Sequence, residues 1–186
     1  MMRPRGELRI VGGVWRSRRL HFPAVPELRP TPDRVRETLF DWLGPWIEGR
    51  RVLDLFAGSG ALGLEALSRG AAEAVFVEHA RPAVTALRTN IEVLGAIGAS
   101  VVGTDALRFL ARARDGFDLV FIDPPYAGGL ARIALERLLS RHLLHVGGRV
   151  YLEHDGAAGI AFGIPPPLRL HRELRAGAVR GCLLLG

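Results

Sequence analysis

Residues 52 to 67 read Val52-Leu-Asp54-Leu-Phe56-Ala-Gly58-Ser-Gly60-Ala-Leu-Gly63-Leu-Glu-Ala-Leu67. An apolar run closes on tightly spaced glycines and passes into helix formers, the pattern of a strand, a tight turn and a helix. The strand is expected over Val52 to Phe56 and the helix near residues 60 to 69, ended by Gly70. The alternation continues downstream, with strands expected at Ala74 to Glu78, Ser100 to Thr104, Phe117 to Ile122 and Arg149 to Glu153. Helices are expected near 81 to 94, up to 113, and near 129 to 141. This rhythm predicts an α/β fold built on a mostly parallel, doubly wound sheet. After Pro165-Pro-Pro167 it changes: residues 168 to 175 and 179 to 185 read as two strands joined at Ala176-Gly177, an antiparallel hairpin at the sheet's edge.

Upstream, residues 7 to 22 alternate around Gly12-Gly13 and predict a β-hairpin whose arginines, Arg9, Arg16, Arg18 and Arg19, project outward. A proline-rich linker fills residues 23 to 30. Thr31-Pro32-Asp33 predicts a helix start, with the Thr31 hydroxyl as cap, running to about Leu43. Val35, Leu39, Trp42, Leu43 and Trp46 share one face of it, leaving Arg34, Thr38 and Asp41 on another. Two parts are therefore expected, a basic arm and linker over residues 1 to 30 and the α/β domain over 31 to 186.

Apolar residues make up 48% of the 186, yet no run approaches the roughly 20 that a membrane helix needs. The N-terminus lacks an apolar signal core, which points to the cytoplasm. The lone Cys182 lies in an apolar run and reads as core. The histidines show no ligand spacing beyond His142 and His145, and nothing beside that pair completes a set, so no metal site is expected. All 25 basic residues are arginine. Nine fall in residues 1 to 36 against Glu7, Glu27 and Asp33, so the net charge of +6 resides in that segment and the remainder is neutral. A basic arm on a neutral body suits a phosphate-bearing partner. Ile10, Val11, Val14, Trp15, Leu20 and Phe22 interleave with the arginines, which a merely solvated tail would not need.

In an open parallel sheet, ligands bind beyond the carboxyl ends of the strands. Gly58-Ser59-Gly60-Ala-Leu-Gly63 matches the dinucleotide fingerprint, and Glu78 follows at the end of the next strand, where an acid would bind ribose hydroxyls. A nicotinamide or flavin cofactor thus comes into view. Asp54 separates the possibilities: an anion here repels a pyrophosphate but attracts the ammonium and sulfonium of S-adenosylmethionine. Asp105 adds an acceptor suited to an adenine amino group. The expected cofactor-binding residues in this region are Asp54, Phe56, Ala57, Gly58, Ser59, Gly60, Glu78, Asp105 and Ala106.

Asp123-Pro124-Pro125-Tyr126, directly after the apolar run Phe117 to Ile122, reads as the catalytic pocket for a planar amine. An aromatic exocyclic amine is a poor nucleophile because its lone pair is delocalised. Acceptors from Asp123 and the Pro124 carbonyl would hold both N–H bonds, turn the lone pair toward the methyl carbon and stabilise the charge that develops. Tyr126 would stack on the base, worth about 1 to 3 kcal/mol against the cost of flipping it out.

With these residues quoted, the chain resembles the RsmD family of bacterial 16S ribosomal RNA guanine-N2 methyltransferases over nearly its whole length. Four blocks carry the likeness: Arg9 to Leu20 (RIVGGVWRSRRL), Arg29 to Phe40 (RPTPDRVRETLF), Asp54 to Leu67 and Asp123 to Tyr126. The last two occur in many amino-methyltransferases; the first two are far more specific. The resemblance implies the Rossmann-like class I S-adenosylmethionine-dependent methyltransferase fold with a seven-stranded sheet. It implies S-adenosylmethionine as donor, a guanine N2 in 16S rRNA as acceptor, a small-subunit particle as setting and a monomeric enzyme. It also implies that Thr31 to Thr38 packs beside the cofactor, with Arg34 and Thr38 as contacts to its methionine end or the RNA. Thr31 and Arg34 are expected among the cofactor's contacts; from the charge of the arm, Arg9, Trp15, Arg16, Arg18 and Arg19 are expected to meet the RNA. Asp41 stands where asparagine is expected, and residues 155 to 167 match less clearly. Two other readings share these motifs: an adenine-N6 DNA methyltransferase, disfavoured by the lack of a target-recognition insert, and an NAD-dependent oxidoreductase using the same glycine loop.

Overall fold

The computed structural model describes residues 5–23, 31–125, 129–155, 163–177 and 179–186. The linker from 24 to 30 and Tyr126 lie outside the described residues. Strands β1 (Arg5–Arg9) and β2 (Arg19–Pro23) form an antiparallel hairpin. Helix α1 (Asp33–Leu43) leads into the alternating core: β3 (Arg51–Asp54), α2 (Ala61–Ser68), β4 (Glu73–Glu78), α3 (Arg81–Leu94), β5 (Ala99–Gly103), α4 (Ala106–Arg112), β6 (Phe117–Ile122), α5 (Leu130–Ser140) and β7 (Leu144–Asp155). The chain closes with β8 (Arg169–Ala176) and β9 (Val179–Leu185).

The main sheet has seven strands in the order β5-β4-β3-β6-β7-β9-β8. Strands β3 to β7 run parallel, while β9 pairs antiparallel with both β7 and β8. The sheet grows outward from β3 through β4 to β5 and then restarts on the other side with β6. Strands β3 and β6 therefore flank the topological switch point, where open α/β sheets bind ligands.

Alternate residues of the central strands feed two cores, which is why they read as continuous apolar runs. Leu119, Phe121, Tyr151 and Leu183 face α1, α2, α3 and the N-terminal hairpin. Val120, Ile122, Leu152 and Leu184 face α4 and α5. The hairpin belongs to the first core: Leu8, Ile10, Leu20 and Phe22 are all buried. Its turn, a short 3-10 helix over Gly13–Trp15, sits on the end of α2. The Ser68 hydroxyl donates to the Gly12 carbonyl at 2.6 Å and accepts from the Trp15 N–H at 3.0 Å. Gly13, at φ 74°, has no room for a Cβ, which would fall on the Ser68 carbonyl.

One buried ion pair locks the hairpin, α1 and α2 together. Arg36 and Glu65 are both 0% exposed, and Arg36 Nη1 meets Glu65 Oε2 at 3.1 Å. Arg36 also donates to the carbonyls of Arg9 and Thr31, while Glu65 accepts from the Val11 N–H and from Arg69. Sequence periodicity marks neither residue, since Arg36 lies among charged and polar neighbours that read as a solvated face and Glu65 among apolar ones.

The expected helix start at Thr31 needs correcting. Pro32 is the N-cap and no side chain caps the helix. The Thr31 hydroxyl points instead toward Asp123, 3.4 Å from Oδ2. Strand β7 is also longer than its apolar core suggested, beginning at Leu144 with a register shift opposite Phe117/Leu119. Removing Glu65 strands a buried guanidinium, so Glu65→Ala is expected to cost about 3 to 5 kcal/mol in equilibrium urea unfolding. A loss under about 1 kcal/mol, the worth of an exposed pair, would show that the pair does not hold the hairpin to the body.

Candidate active site

The acids singled out in the sequence gather at the carboxyl ends of β3, β4 and β6. Asp54 ends β3, Glu78 ends β4, and Asp123 follows β6 directly. Asp54 is 3% exposed, and its Oδ2 accepts from the Gly63 N–H at 2.9 Å, inside the first turn of α2. Burial, reinforced by the charges of Asp123 and Glu78 and opposed by the Gly63 bond, pushes its carboxyl up to about 7. Glu78 holds the glycine loop from the other side: Oε2 accepts from the Gly58 N–H at 2.9 Å and Oε1 from the Ala80 N–H at 2.7 Å. Oε1 also lies 3.4 Å from His79 Nδ1, while Oε2 keeps a second lone pair for a hydroxyl donor.

The loop between β3 and α2 is shaped by glycine. Gly58 and Gly60 have φ of 52° and 80°, where a side chain is strained. Gly63 lets α2 lie against β4, since a Cβ there would sit 2.3 Å from the Phe76 ring. The Ala57 N–H donates to the Val77 carbonyl, seating the turn over β4. Ala57 and Ser59 are buried and Phe56 is half-buried. Asp105 is exposed and caps α4, its Oδ1 accepting from the Arg108 N–H at 2.9 Å, with Ala106 buried beside it.

Asp123 is half-buried, Pro124 buried and Pro125 exposed. Sequence reading missed the acid next to it. Ile122 pairs with Leu152, so the following residues, Asp123 and Glu153, sit side by side on adjacent parallel strands. Glu153 is 2% exposed and accepts from the Tyr151 hydroxyl at 3.0 Å. Burial lifts both carboxyls above their ordinary range, and the charge of Asp123 lifts Glu153 further. The available signal was positional: an acid closing an apolar strand next to the strand that carries Asp123.

Thr31 is buried and joins this group through Asp123, whereas Arg34 is exposed and only its carbonyl is engaged, by the Thr38 hydroxyl. Of the hairpin residues, Arg9 pairs with Asp33 at 2.7 Å and Arg19 with Glu7 at 3.1 Å, both in the open. Arg18 donates to the Val93 carbonyl. Arg16 is exposed and makes no ion pair among the described residues, and Trp15 is half-buried against the core. Exposed pairs of this kind are weak enough to exchange for phosphate.

The family described as Conserved hypothetical protein 95 matches residues 8–184. The chain is 45% identical over 174 residues to Ribosomal RNA small subunit methyltransferase D of Escherichia coli, covering 94% of this chain and 87% of that one. A solved Escherichia coli structure superimposes with a TM-score of 0.86 at 44% identity, covering 97% and 98% of the two chains. The fold also recurs, at 23% identity and a TM-score of 0.72, in a Thermus thermophilus 16S rRNA N2 methyltransferase solved with AdoMet and guanosine, covering 98% of this chain and 50% of that one.

The raised carboxyl of Asp54 makes stability depend on pH. The folded form holds the proton more tightly than the unfolded chain, where an Asp titrates near about 4. Its contribution is therefore complete below about pH 4 and is lost as pH rises through about 7, up to about 4 kcal/mol. Melting temperature is expected to fall between pH 5 and 8, and Asp54→Asn to flatten that fall. Identical slopes for the two proteins would contradict it.

Proposed function

This chain belongs to the Conserved hypothetical protein 95 family, and from that membership we propose that it transfers a methyl group from S-adenosylmethionine to the exocyclic N2 amine of a guanine in 16S ribosomal RNA. The observation that carries the reading is the meeting of Asp54 and Asp123 at the switch point between β3 and β6, a cation-attracting acid beside an amine-accepting one. The residues fit the cofactor: a glycine turn that a ligand can approach closely, Glu78 with a lone pair on Oε2 for a ribose hydroxyl, and Asp105 with one carboxyl oxygen uncommitted among the described residues. The bound cofactor supplies an electrophilic methyl carbon on a sulfonium.

Asp123 and the Pro124 carbonyl accept the two N–H bonds of the amine, aiming its lone pair and stabilising the positive charge on nitrogen. The Asp123 carboxylate then takes the surplus proton or passes it to water. Pro125 shapes the turn, and Tyr126 stacks on the flipped base. Thr31 steadies Asp123 from the start of α1, and Arg34, exposed on the first turn of the same helix, faces the cofactor's carboxylate or the RNA. Asp54, Phe56, Ala57, Gly58, Ser59, Gly60, Glu78, Asp105 and Ala106 line the cofactor's side.

The hairpin supplies the address. Arg16, Arg18 and Arg19 contact phosphates, with Arg9 and Trp15 at the margin of the same surface. We assign residues 1–30 to RNA recognition and 31–186 to methyl transfer, the enzyme acting as a monomer on the RNA within a small-subunit particle. No helix among the described residues is long and apolar enough to cross a membrane, and a ribosomal substrate puts the enzyme in the cytoplasm.

Labelled methyl groups are expected to pass from S-adenosylmethionine to guanine N2 in small-subunit RNA or particles, mapped by mass spectrometry. Equal transfer to naked duplex DNA would overturn the RNA assignment. Replacing Arg16, Arg18 and Arg19 with alanine should weaken RNA binding and reduce the log–log salt slope by about 0.7 to 0.9 per lost phosphate contact. Cofactor affinity, measured by calorimetry, should not change; an unaltered salt slope would count against the arm.

A further inference from the structure

Glu153 is a deeply buried acid. Among the described residues no cation contributes to its electrostatic environment. Its neighbours among the described residues are the Tyr151 hydroxyl, which donates to Oε1 at 3.0 Å, the Thr31 hydroxyl, and the Asp123 carboxyl across the β6–β7 ladder. Across the other ladder stands Gly181, where a Cβ would lie 2.3 Å from the Tyr151 hydroxyl oxygen. Glycine at this position leaves the phenol room to reach Glu153. Asp123 in turn is met by the Thr31 hydroxyl, 3.4 Å from Oδ2.

Two adjacent carboxyls, one of them almost wholly buried, disfavour ionising together, so one of them holds a proton. Burial and the bond between the two acids say which. Tyr151 donates to Glu153 and the Thr31 hydroxyl reaches both acids, but Glu153 is 2% exposed while Asp123 is only half-buried, so the proton sits on Glu153 and is donated to Asp123. The more buried acid is also the one that loses most by being charged.

We propose that Glu153 is a neutral positioning acid, whose carboxyl proton is donated to Asp123 and keeps that side chain ionised and fixed as the acceptor for the substrate amine. The proposal rests on the reading of Asp123 as the amine acceptor. The direction of titration agrees: burial and the charge of Asp123 raise Glu153, and the hydrogen bond from Glu153 opposes the rise of Asp123. The other titratable groups interacting with the pair are Tyr151 on the same strand and Asp54 on β3, with Glu78 acting in turn on Asp54 and Cys182 on Tyr151, and no cation among the described residues acts on either carboxyl. Raising the pH removes the Glu153 proton, sets two anions side by side and ends the donation. Methyl transfer should therefore fall on the alkaline side, with an apparent pKa belonging to the pair.

The test compares wild type, Glu153→Gln and Glu153→Leu as full-length proteins, with kcat against pH on 16S rRNA and the KM for S-adenosylmethionine. Glutamine still donates to Asp123 and accepts from Tyr151 but cannot ionise. It should hold kcat within about threefold of wild type at neutral pH while losing the alkaline limb. Leucine should cut kcat about 10- to 100-fold with KM for the cofactor unchanged. A glutamine variant that folds yet keeps the wild-type alkaline limb, or that is as slow as leucine, overturns the proposal. Carbon-13 NMR of labelled carboxyl groups checks the proton without any substrate: one glutamate should stay protonated above neutral pH in wild type and vanish from the glutamine variant. If every glutamate carboxyl is ionised at neutral pH the proposal fails. A wild-type enzyme that methylates no RNA but shows this protonated glutamate would sink the proposed function alone.

Discussion

The buried guanidinium of Arg36 is the constraint on which the arrangement of the first core depends. It reaches Glu65 on α2, the Arg9 carbonyl at the end of β1 and the Thr31 carbonyl ahead of α1. Isolated, this charge would be prohibitively expensive to bury, so the three segments that satisfy it must stay in place together. Asp33 adds a further partner: although partly desolvated, its carboxyl is held below the usual range by Arg9 and Arg36. The same fastening positions both parts of the proposed enzyme. It seats the hairpin on α2, and through Thr31 it fixes the hydroxyl that meets Asp123.

The second organising feature is a set of carboxyls drawn into a poorly solvated crevice. Asp54 and Glu78 spend their hydrogen bonds on backbone amides of the glycine loop and its flank, so the acids that would bind the cofactor also build the turn that admits it. Asp123 and Glu153 are raised by the same desolvation. Negative charge at the switch point suits a cationic donor and a developing cationic amine, and the arginines stand apart on the hairpin, where phosphates would not compete with the site.

Much of this was legible from residues alone. Helix α3 and strand β6 begin and end where the sequence pattern puts them, and the C-terminal hairpin falls where the Pro165-Pro-Pro167 stop and the Ala176-Gly177 turn predict. These elements obey local rules: period, glycine punctuation and proline stops. Thr31 broke the local rule. A hydroxyl before Pro-Asp reads as a cap, but a partner far along the chain, Asp123, takes it instead. Glu65 and Glu153 were passed over for a related reason, because a charged residue inside an apolar helix or at a strand end carries no mark of its partner until the chain is folded.

The sequence by itself determined the alternating α/β architecture, the glycine turn after β3, the placement of acids at strand ends and the concentration of positive charge before residue 37. Those properties depend on backbone conformation and composition, which neighbouring residues dictate. Only the tertiary structure decided that β3 and β6 lie side by side, that Glu153 stands against Asp123, and that Arg36 finds Glu65. Each of these pairings joins residues distant in the chain: β3 meets β6 through backbone bonds and buried apolar side chains, the β6–β7 ladder brings Glu153 to Asp123, and Arg36 meets Glu65 because a buried charge needs its partner.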